Sequence, residues 1–103
     1  MSLESTANIL SVDAGASNVR SVIFNSNGDT IGEYGVNEGG NIAVAPEAST
    51  KVIMSTISSL LDKCKLGYDD ISHFSLGIAG ISNDAAREML FKRLDERNIS
   101  SKT

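Results

Sequence analysis

The chain has 103 residues, of which 41% are hydrophobic and 21% charged, and its formal net charge is −4. This length and balance are typical of one globular domain with a modest core. The acidic balance argues against a nucleic-acid-binding protein, which needs a basic face. The sequence shows neither an apolar run of the roughly 18–20 residues that a membrane span needs nor a secretory leader, so we expect a cytoplasmic protein without a membrane partner. The single cysteine, Cys64, excludes an intramolecular disulfide.

Three short segments in the first third of the chain predict β-strands. Residues 9–12 and 19–24 are apolar runs rich in β-branched and aromatic side chains. Asn27-Gly28 follows the second run and is a strong hairpin signal. Residues 30–36 then predict a third strand, which its glycines mark as an edge strand.

The turn between the first two strands contains the candidate binding residues. Asp13, Gly15, Ser17 and Asn18 stand in it, and Arg20 lies one residue into the second strand. Small residues let backbone N–H groups approach phosphate oxygens, and the Ser and Asn side chains add donors. A carboxylate suits Mg²⁺, which keeps much of its hydration shell. The turn therefore predicts a phosphate site with Asp13 as the metal ligand.

A long helix is predicted to begin at Pro46, because proline suits the first helical position, and Glu47 favours the positive end of the helix dipole. Gly67 is the predicted stop. Apolar residues recur at spacings of three and four and predict one buried stripe. This stripe consists of Ile53, Ile57, Leu60, Leu61 and Cys64.

A fourth strand is predicted over residues 74–80, parallel to the first through a right-handed crossover. Residues 82–84 supply an N-cap and an acidic first turn for a second helix. We interpret residues 1–7 as a vector-derived leader and residues 99–103 as a frayed end, which leaves one domain over residues 8–98. The buried side of the second helix is predicted to hold Ala86, Met89, Leu90 and Leu94.

The run Asp13-Ala-Gly-Ala-Ser-Asn-Val-Arg20 resembles the first phosphate motif of the actin-like ATPase and sugar kinase superfamily. It is similar to N-acetylglucosamine kinases and to the BadF/BadG/BcrA/BcrD ATPase family, whose usual run is Asp-Gly-Gly-Gly-Thr-Lys-Thr. Ala14 and Ala16 stand where those families favour glycine, and a left-handed conformation at either alanine would cost about 1–2 kcal/mol. The resemblance implies an α/β fold: a ribonuclease-H-like half-domain of order β-β-β-α-β-α, with helices packed on a mixed sheet.

The resemblance also implies cofactors and substrate. It makes ATP and Mg²⁺ the cofactors and places the residues of the turn, with Arg20, at the nucleotide. In the acetylglucosamine kinases an asparagine in the loop after the third strand contacts the sugar, and Asn41 stands at a similar place, preceded by Gly40. Gly80 ends the fourth strand at the edge that holds Asp13, where open sheets bind ligands. Asn41, Gly40 and Gly80 are thus the implied substrate residues.

Three functions stay open at this point. The first is the phosphate-binding half of an ATP-dependent sugar kinase, with a nucleotide and a small sugar as ligands. The second is a BadF-type ATPase that couples hydrolysis to a partner, and the third is a non-catalytic oligomerisation or regulatory module. The resemblance also implies a second domain and a catalytic Asp that this chain lacks, so we expect the chain alone to be inactive. The edge of the fourth strand is expected to self-associate or to pair with that domain.

Overall fold

The computed structural model describes residues 7–97 and residue 99. They form four strands and two helices, with a short 3₁₀ helix at Tyr68–Asp70 between the first helix and the last strand. The strands are β1 (Asn8–Ala14), β2 (Val19–Asn25), β3 (Thr30–Val36) and β4 (His73–Ile78), and the helices are α1 (Pro46–Cys64) and α2 (Asp84–Glu96).

The four strands form one mixed sheet in the order β3-β2-β1-β4. β2 is antiparallel to both of its neighbours, and β4 is parallel to β1, which confirms the pairing predicted for the fourth strand. β3 lies at an edge, also as predicted. Because β1, β3 and β4 run in the same direction, the segments that follow them meet at one end of the sheet. We call this end, formed by residues 15–18, 37–45 and 79–83, the carboxyl edge.

The core lies between the sheet and α1, which also contacts α2. Leu10 and Val12 of β1 are buried on this side, whereas Ile9, Ser11 and Asp13 alternate with them toward the opposite face. The helical stripe predicted from spacing is confirmed for its four Ile and Leu residues, which are buried, while Cys64 is half-buried. Among the residues that the structure describes, no helix is long and apolar enough to cross a membrane.

The β2–β3 connection is a hairpin, as the Asn27-Gly28 pair predicts, but its turn is longer than two residues. Gly28 has φ of 88°, and Asn27 does not have a positive φ. The turn closes over residues 25–29, because the Asn25 N–H donates to the Asp29 carbonyl and the Asn25 side chain accepts from two backbone N–H groups.

Some boundaries and burial assignments differ from the expectations. Met89 is 37% exposed, because it lies at the margin of α2 rather than in its buried stripe. β4 ends at Ile78, and Gly80 belongs to the following turn with φ of 85°. Ile99, in the segment expected to fray, is buried. The remainder of that segment, and the leader up to residue 6, lie outside the described residues, whereas the Ala7 carbonyl accepts a hydrogen bond from the hairpin turn.

Candidate functional site

The three segments of the carboxyl edge are held together by backbone hydrogen bonds. The Gly40 N–H donates to the Gly15 carbonyl at 2.8 Å. The Ala79 N–H donates to the Ala14 carbonyl at 2.9 Å, and the Ile42 N–H donates in turn to the Ala79 carbonyl at 3.0 Å. Site residues predicted from positions far apart in the sequence are therefore brought to one end of the sheet.

Gly40 and Gly80, the two glycines predicted at the substrate, are required by this close packing. A Cβ on Gly40 would lie 2.5 Å from Val19 Cγ2, which real Cβ atoms do not approach. A Cβ on Gly80 would lie 2.5 Å from both Asn41 Oδ1 and Ala43 N. Both glycines let neighbouring segments approach, so the structure gives them a packing role.

In the turn over residues 15–18, which we call the phosphate turn, three of the four backbone N–H groups donate to no described residue. It is closed by the Gly15 N–H, which donates to the Asn18 carbonyl at 2.9 Å. Within the described chain, the N–H groups of Ala16, Ser17 and Asn18 have no hydrogen-bond acceptor, and all three residues are exposed. Consecutive exposed N–H groups are the arrangement that binds anions.

Ala14, at the end of β1, and Ala16, in the phosphate turn, are not strained. Lys65 is the one non-glycine residue with a positive φ in the part of the chain that the structure describes. Ala14 and Ala16 therefore do not adopt the left-handed conformation that would have cost about 1–2 kcal/mol.

Asp13 and Arg20 are direct neighbours in the β1–β2 register, on the face of the sheet away from α1. Arg20 does not pair with Asp13; its Nη1 lies 2.7 Å from Glu33 Oε1 on β3. The Asp13 carboxylate makes no hydrogen bond or ion pair with the residues described, so it is available to an outside cation. Since the Arg20–Glu33 pair is exposed and worth about 0–1 kcal/mol, a ligand could recruit Arg20 at little cost.

The residues present fit a magnesium ion held mainly by water and phosphate. Mg²⁺ is usually bound through one or two carboxylates and keeps several waters, and Asp13 is one such unpartnered carboxylate at the end of β1. No group of three or more His, Cys, Asp or Glu side chains in the described chain could form an all-protein cage.

Asn41 accepts hydrogen bonds that hold its own loop in place, a role that the sequence around it does not indicate. Its Oδ1 accepts from the N–H groups of Ala43, at 3.0 Å, and Val44, at 3.3 Å. Its backbone carbonyl accepts from Val44 and Ala45 and from the buried Ser49 hydroxyl at 3.1 Å. These bonds fix the turn over residues 41–45 that leads into α1.

Sequence reasoning missed the role of Glu33 and the hydrogen bonds of Asn41. Side chains alternate between the two faces of the sheet along β3, and Glu33 lies on the same face as Arg20. This placement can be predicted only when the β2–β3 register is known. A groove of about 320 Å³ beside this pair is also lined by Asn18 of the phosphate turn.

A wider groove of about 790 Å³ lies between α1 and α2 and is lined by none of the predicted site residues. We place the candidate site at the carboxyl edge, because backbone donors and a carboxylate that have no partner in the described part of the chain lie together there.

No family model and no curated protein matches this chain. Solved structures do match. A candidate N-acetylglucosamine kinase from Chromobacterium violaceum has a TM-score of 0.67 at 16% identity, and the match covers 87% of this chain and 32% of that one. A PPX-GPPA enzyme from Aquifex aeolicus has a TM-score of 0.56 at 19% identity, and the match covers 91% of this chain and 34% of that enzyme. The chain thus spans about a third of their length, and over that length it has the actin-like ATPase fold.

Proposed function

We propose that this chain is the phosphate-binding part of an ATP-dependent kinase that phosphorylates a sugar hydroxyl, as an N-acetylglucosamine kinase does. The observation that carries the proposal is the phosphate turn, where three consecutive backbone N–H groups follow Asp13, and neither they nor its carboxylate have a hydrogen-bond partner among residues 7–97 and 99. The actin-like ATPase fold and the similarity to a candidate N-acetylglucosamine kinase support it.

In this proposal the phosphate turn binds the phosphates of ATP. The N–H groups of Ala16, Ser17 and Asn18 donate to phosphate oxygens, and the Ser17 and Asn18 side chains are further donors. Gly15 has no Cβ to obstruct the approach. Asp13 holds Mg²⁺ directly or through its waters, and the ion when bound neutralises phosphate charge. Such positioning is most of what phosphoryl transfer requires from a protein.

The sugar lies beside the 41–45 turn. Asn41 contacts it through the side-chain nitrogen, while Gly40 and Gly80 keep the surrounding segments close enough to shape the site. We assign no catalytic residue in this chain.

Catalysis requires enclosure of the transferred group, and the described chain supplies one wall of a site. We therefore propose that the chain acts with a second domain or a second copy. β4 hydrogen-bonds to a neighbouring strand on one side only within the described sheet, and its other edge can pair with that partner.

Calorimetric titration of the chain with MgATP tests the proposed role of Asp13. Asp13→Asn is expected to weaken binding at least about tenfold, because an interaction with a charged group is worth about 1.5–3 kcal/mol. Asp62→Asn is the matched control, since Asp62 is an exposed carboxylate on α1, away from the phosphate turn. Equal affinities for the two variants would contradict the proposal.

The two other functions make different predictions. A BadF-type ATPase would release ADP without sugar, whereas the kinase, assayed with its partner domain, requires a sugar. Strain at Ala14 and Ala16, which stand where the resembled families favour glycine, would favour the non-catalytic module, but neither alanine has a positive φ.

A further inference from the structure

We propose that Lys63 closes the outer edge of β3 against pairing with the same strand of a second copy of this chain. The inference goes beyond the proposed function, since it involves neither nucleotide nor sugar. It concerns the edge of the sheet opposite to β4.

β3 is a strand that another strand could readily join. It is seven residues long and has a neighbouring strand on one side only within the described sheet. Ile31 is 45% and Tyr34 is 36% exposed, and they are two of the four large hydrophobic side chains that are exposed among the described residues. Long edge strands with exposed apolar side chains are sites of aggregation, because their outer N–H and C=O groups are unpaired.

The carbonyl of Glu33 faces away from the sheet. The Tyr34 carbonyl accepts from the Ser21 hydroxyl of β2 at 3.4 Å, so it faces the neighbouring strand. Since the carbonyls of successive residues in a strand point in opposite directions, that of Glu33 points to the outer edge. It lies in the middle of β3 and is one of the acceptors that an added strand would use.

Lys63, in the last turn of α1, occupies this carbonyl. Its Nζ donates to the Glu33 carbonyl at 3.0 Å. The helix end is packed against the strand because Gly32 leaves room for Cys64: a Cβ on Gly32 would lie 2.5 Å from Cys64 Sγ. An added strand would have to displace a charge-assisted hydrogen bond and to desolvate the ammonium group.

Charge also opposes pairing between two copies of β3. A twofold interface is self-complementary, so the same residues approach each other from both copies. With Glu33 near the centre of such a pairing, the two Lys63 ammonium groups would meet at the shared edge. Like charges in that arrangement are destabilising.

An irregularity in β3 acts in the same direction, and β4 has neither feature. The β2–β3 register shifts between Ile23 and Phe24 and leaves Ile31 unpaired, which makes the edge less regular. The β1–β4 register has no shift, and no side chain in the described chain donates to a backbone carbonyl of β4. Closure is thus specific to the edge of β3.

Two substitutions of Lys63 and one control test the proposal. Lys63→Met removes the ammonium group, keeps an unbranched side chain and has a similar helix propensity. Lys63→Arg keeps a cationic donor. Lys51→Met is the matched control, because Lys51 is an exposed lysine near the start of α1 without a hydrogen bond or ion pair to described residues.

The first measurement is sedimentation velocity over a range of protein concentrations. We expect the self-association Kd of Lys63→Met to be at least about tenfold lower than that of wild type, because a bond to a charged group no longer has to be displaced. Lys63→Arg and Lys51→Met should associate as wild type does. Equal association of Lys63→Met and Lys51→Met would refute the proposal.

The second measurement is amide hydrogen exchange, which locates the new contact. In Lys63→Met, the Glu33 and Gly35 amides are expected to exchange about tenfold more slowly as concentration rises, and in wild type they should not change. Association without this protection would place the contact elsewhere and overturn the proposal. Urea denaturation should give Lys63→Met and Lys51→Met the same stability; association that instead follows from a loss of stability would also count against it.

Discussion

The two hairpin turns at opposite ends of the sheet differ in what they do with their backbone donors. In the turn over residues 25–29, the side chain and carbonyl of Asn25 accept from the N–H groups of Asn27, Gly28 and Asp29. In the phosphate turn, no described side chain accepts from the backbone, and the N–H groups of three consecutive residues have no acceptor within the structure as described. The backbone N–H groups of the 25–29 turn are bonded within the turn, whereas those of the phosphate turn are available to a ligand.

The difference lies in one residue at the start of each turn. An asparagine side chain reaches back to the N–H groups that follow it and completes its own turn. Gly15, at the corresponding place in the phosphate turn, has no side chain that can do so. Exposed donors that water alone satisfies cost little stability, and they are what a phosphate requires.

The largest effect is expected from Gly80→Ala, compared with Gly28→Ala at the other end of the sheet. Both glycines have positive φ, but a Cβ on Gly28 meets nothing within 4 Å, whereas one on Gly80 meets Asn41 and Ala43 at 2.5 Å. We expect the free energy of unfolding to fall by about 1–2 kcal/mol for Gly28→Ala and by about 2–4 kcal/mol for Gly80→Ala. Urea denaturation measures both, and equal losses would show that the carboxyl edge is less tightly packed than described.

Asn25→Ala is expected to destabilise the chain by about 1–2 kcal/mol, because two backbone N–H groups lose their acceptor. Asn18→Ala, in the phosphate turn, should change the free energy of unfolding by less than about 0.5 kcal/mol. Conversely, only Asn18→Ala should weaken MgATP binding. If Asn18→Ala destabilised the chain as much as Asn25→Ala, the two turns would not differ as proposed.

Thr50→Val should stabilise the chain by about 1 kcal/mol and leave both turns unchanged. Thr50 Oγ1 is buried on α1 and has no hydrogen-bond partner among the residues that the structure describes, so replacing the hydroxyl with a methyl group removes a desolvation cost. Thermal unfolding measures the gain, and MgATP affinity should equal that of wild type. A loss of stability would indicate that the hydroxyl has a partner.

Gly15→Ala should have the smallest effect on stability, within about 0.5 kcal/mol. A Cβ there comes no closer than 3.8 Å to the Asn18 carbonyl, and the backbone of Gly15 does not have positive φ. The added methyl group would nevertheless stand beside the proposed phosphates, so MgATP affinity should fall. Unchanged affinity in titration would place the ligand elsewhere.

The periodic spacing of apolar residues predicted most of the strands and helices correctly, and it predicted where they end less accurately. Spacing in α1 identified Ile53 and Leu60 as buried, because one helix face repeats every three to four residues. The same rule was wrong for Met89, since burial at the margin of a helix depends on how the helix is rotated against its neighbours. The short 3₁₀ helix at Tyr68–Asp70 has no periodicity to detect.

The candidate site was only partly predictable. The composition of the phosphate turn and the position of Asp13 are local features, and the sequence predicts them directly. The partners of Asn41 and the engagement of Arg20 by Glu33 depend on strand register and loop packing, which the sequence does not specify locally. The sequence left open whether Ala14 and Ala16 adopt a left-handed conformation, because that depends on backbone angles, and neither does.

Titration of the ¹⁵N-labelled chain with MgATP, followed amide by amide, tests most directly whether the phosphate turn binds the nucleotide. If it does, the signals of Ala16, Ser17 and Asn18 shift in a saturable way, and those of Asn27, Gly28 and Asp29 do not move. Shifts of equal size at both turns, or no shift at the phosphate turn at millimolar MgATP, would contradict this role of the turn.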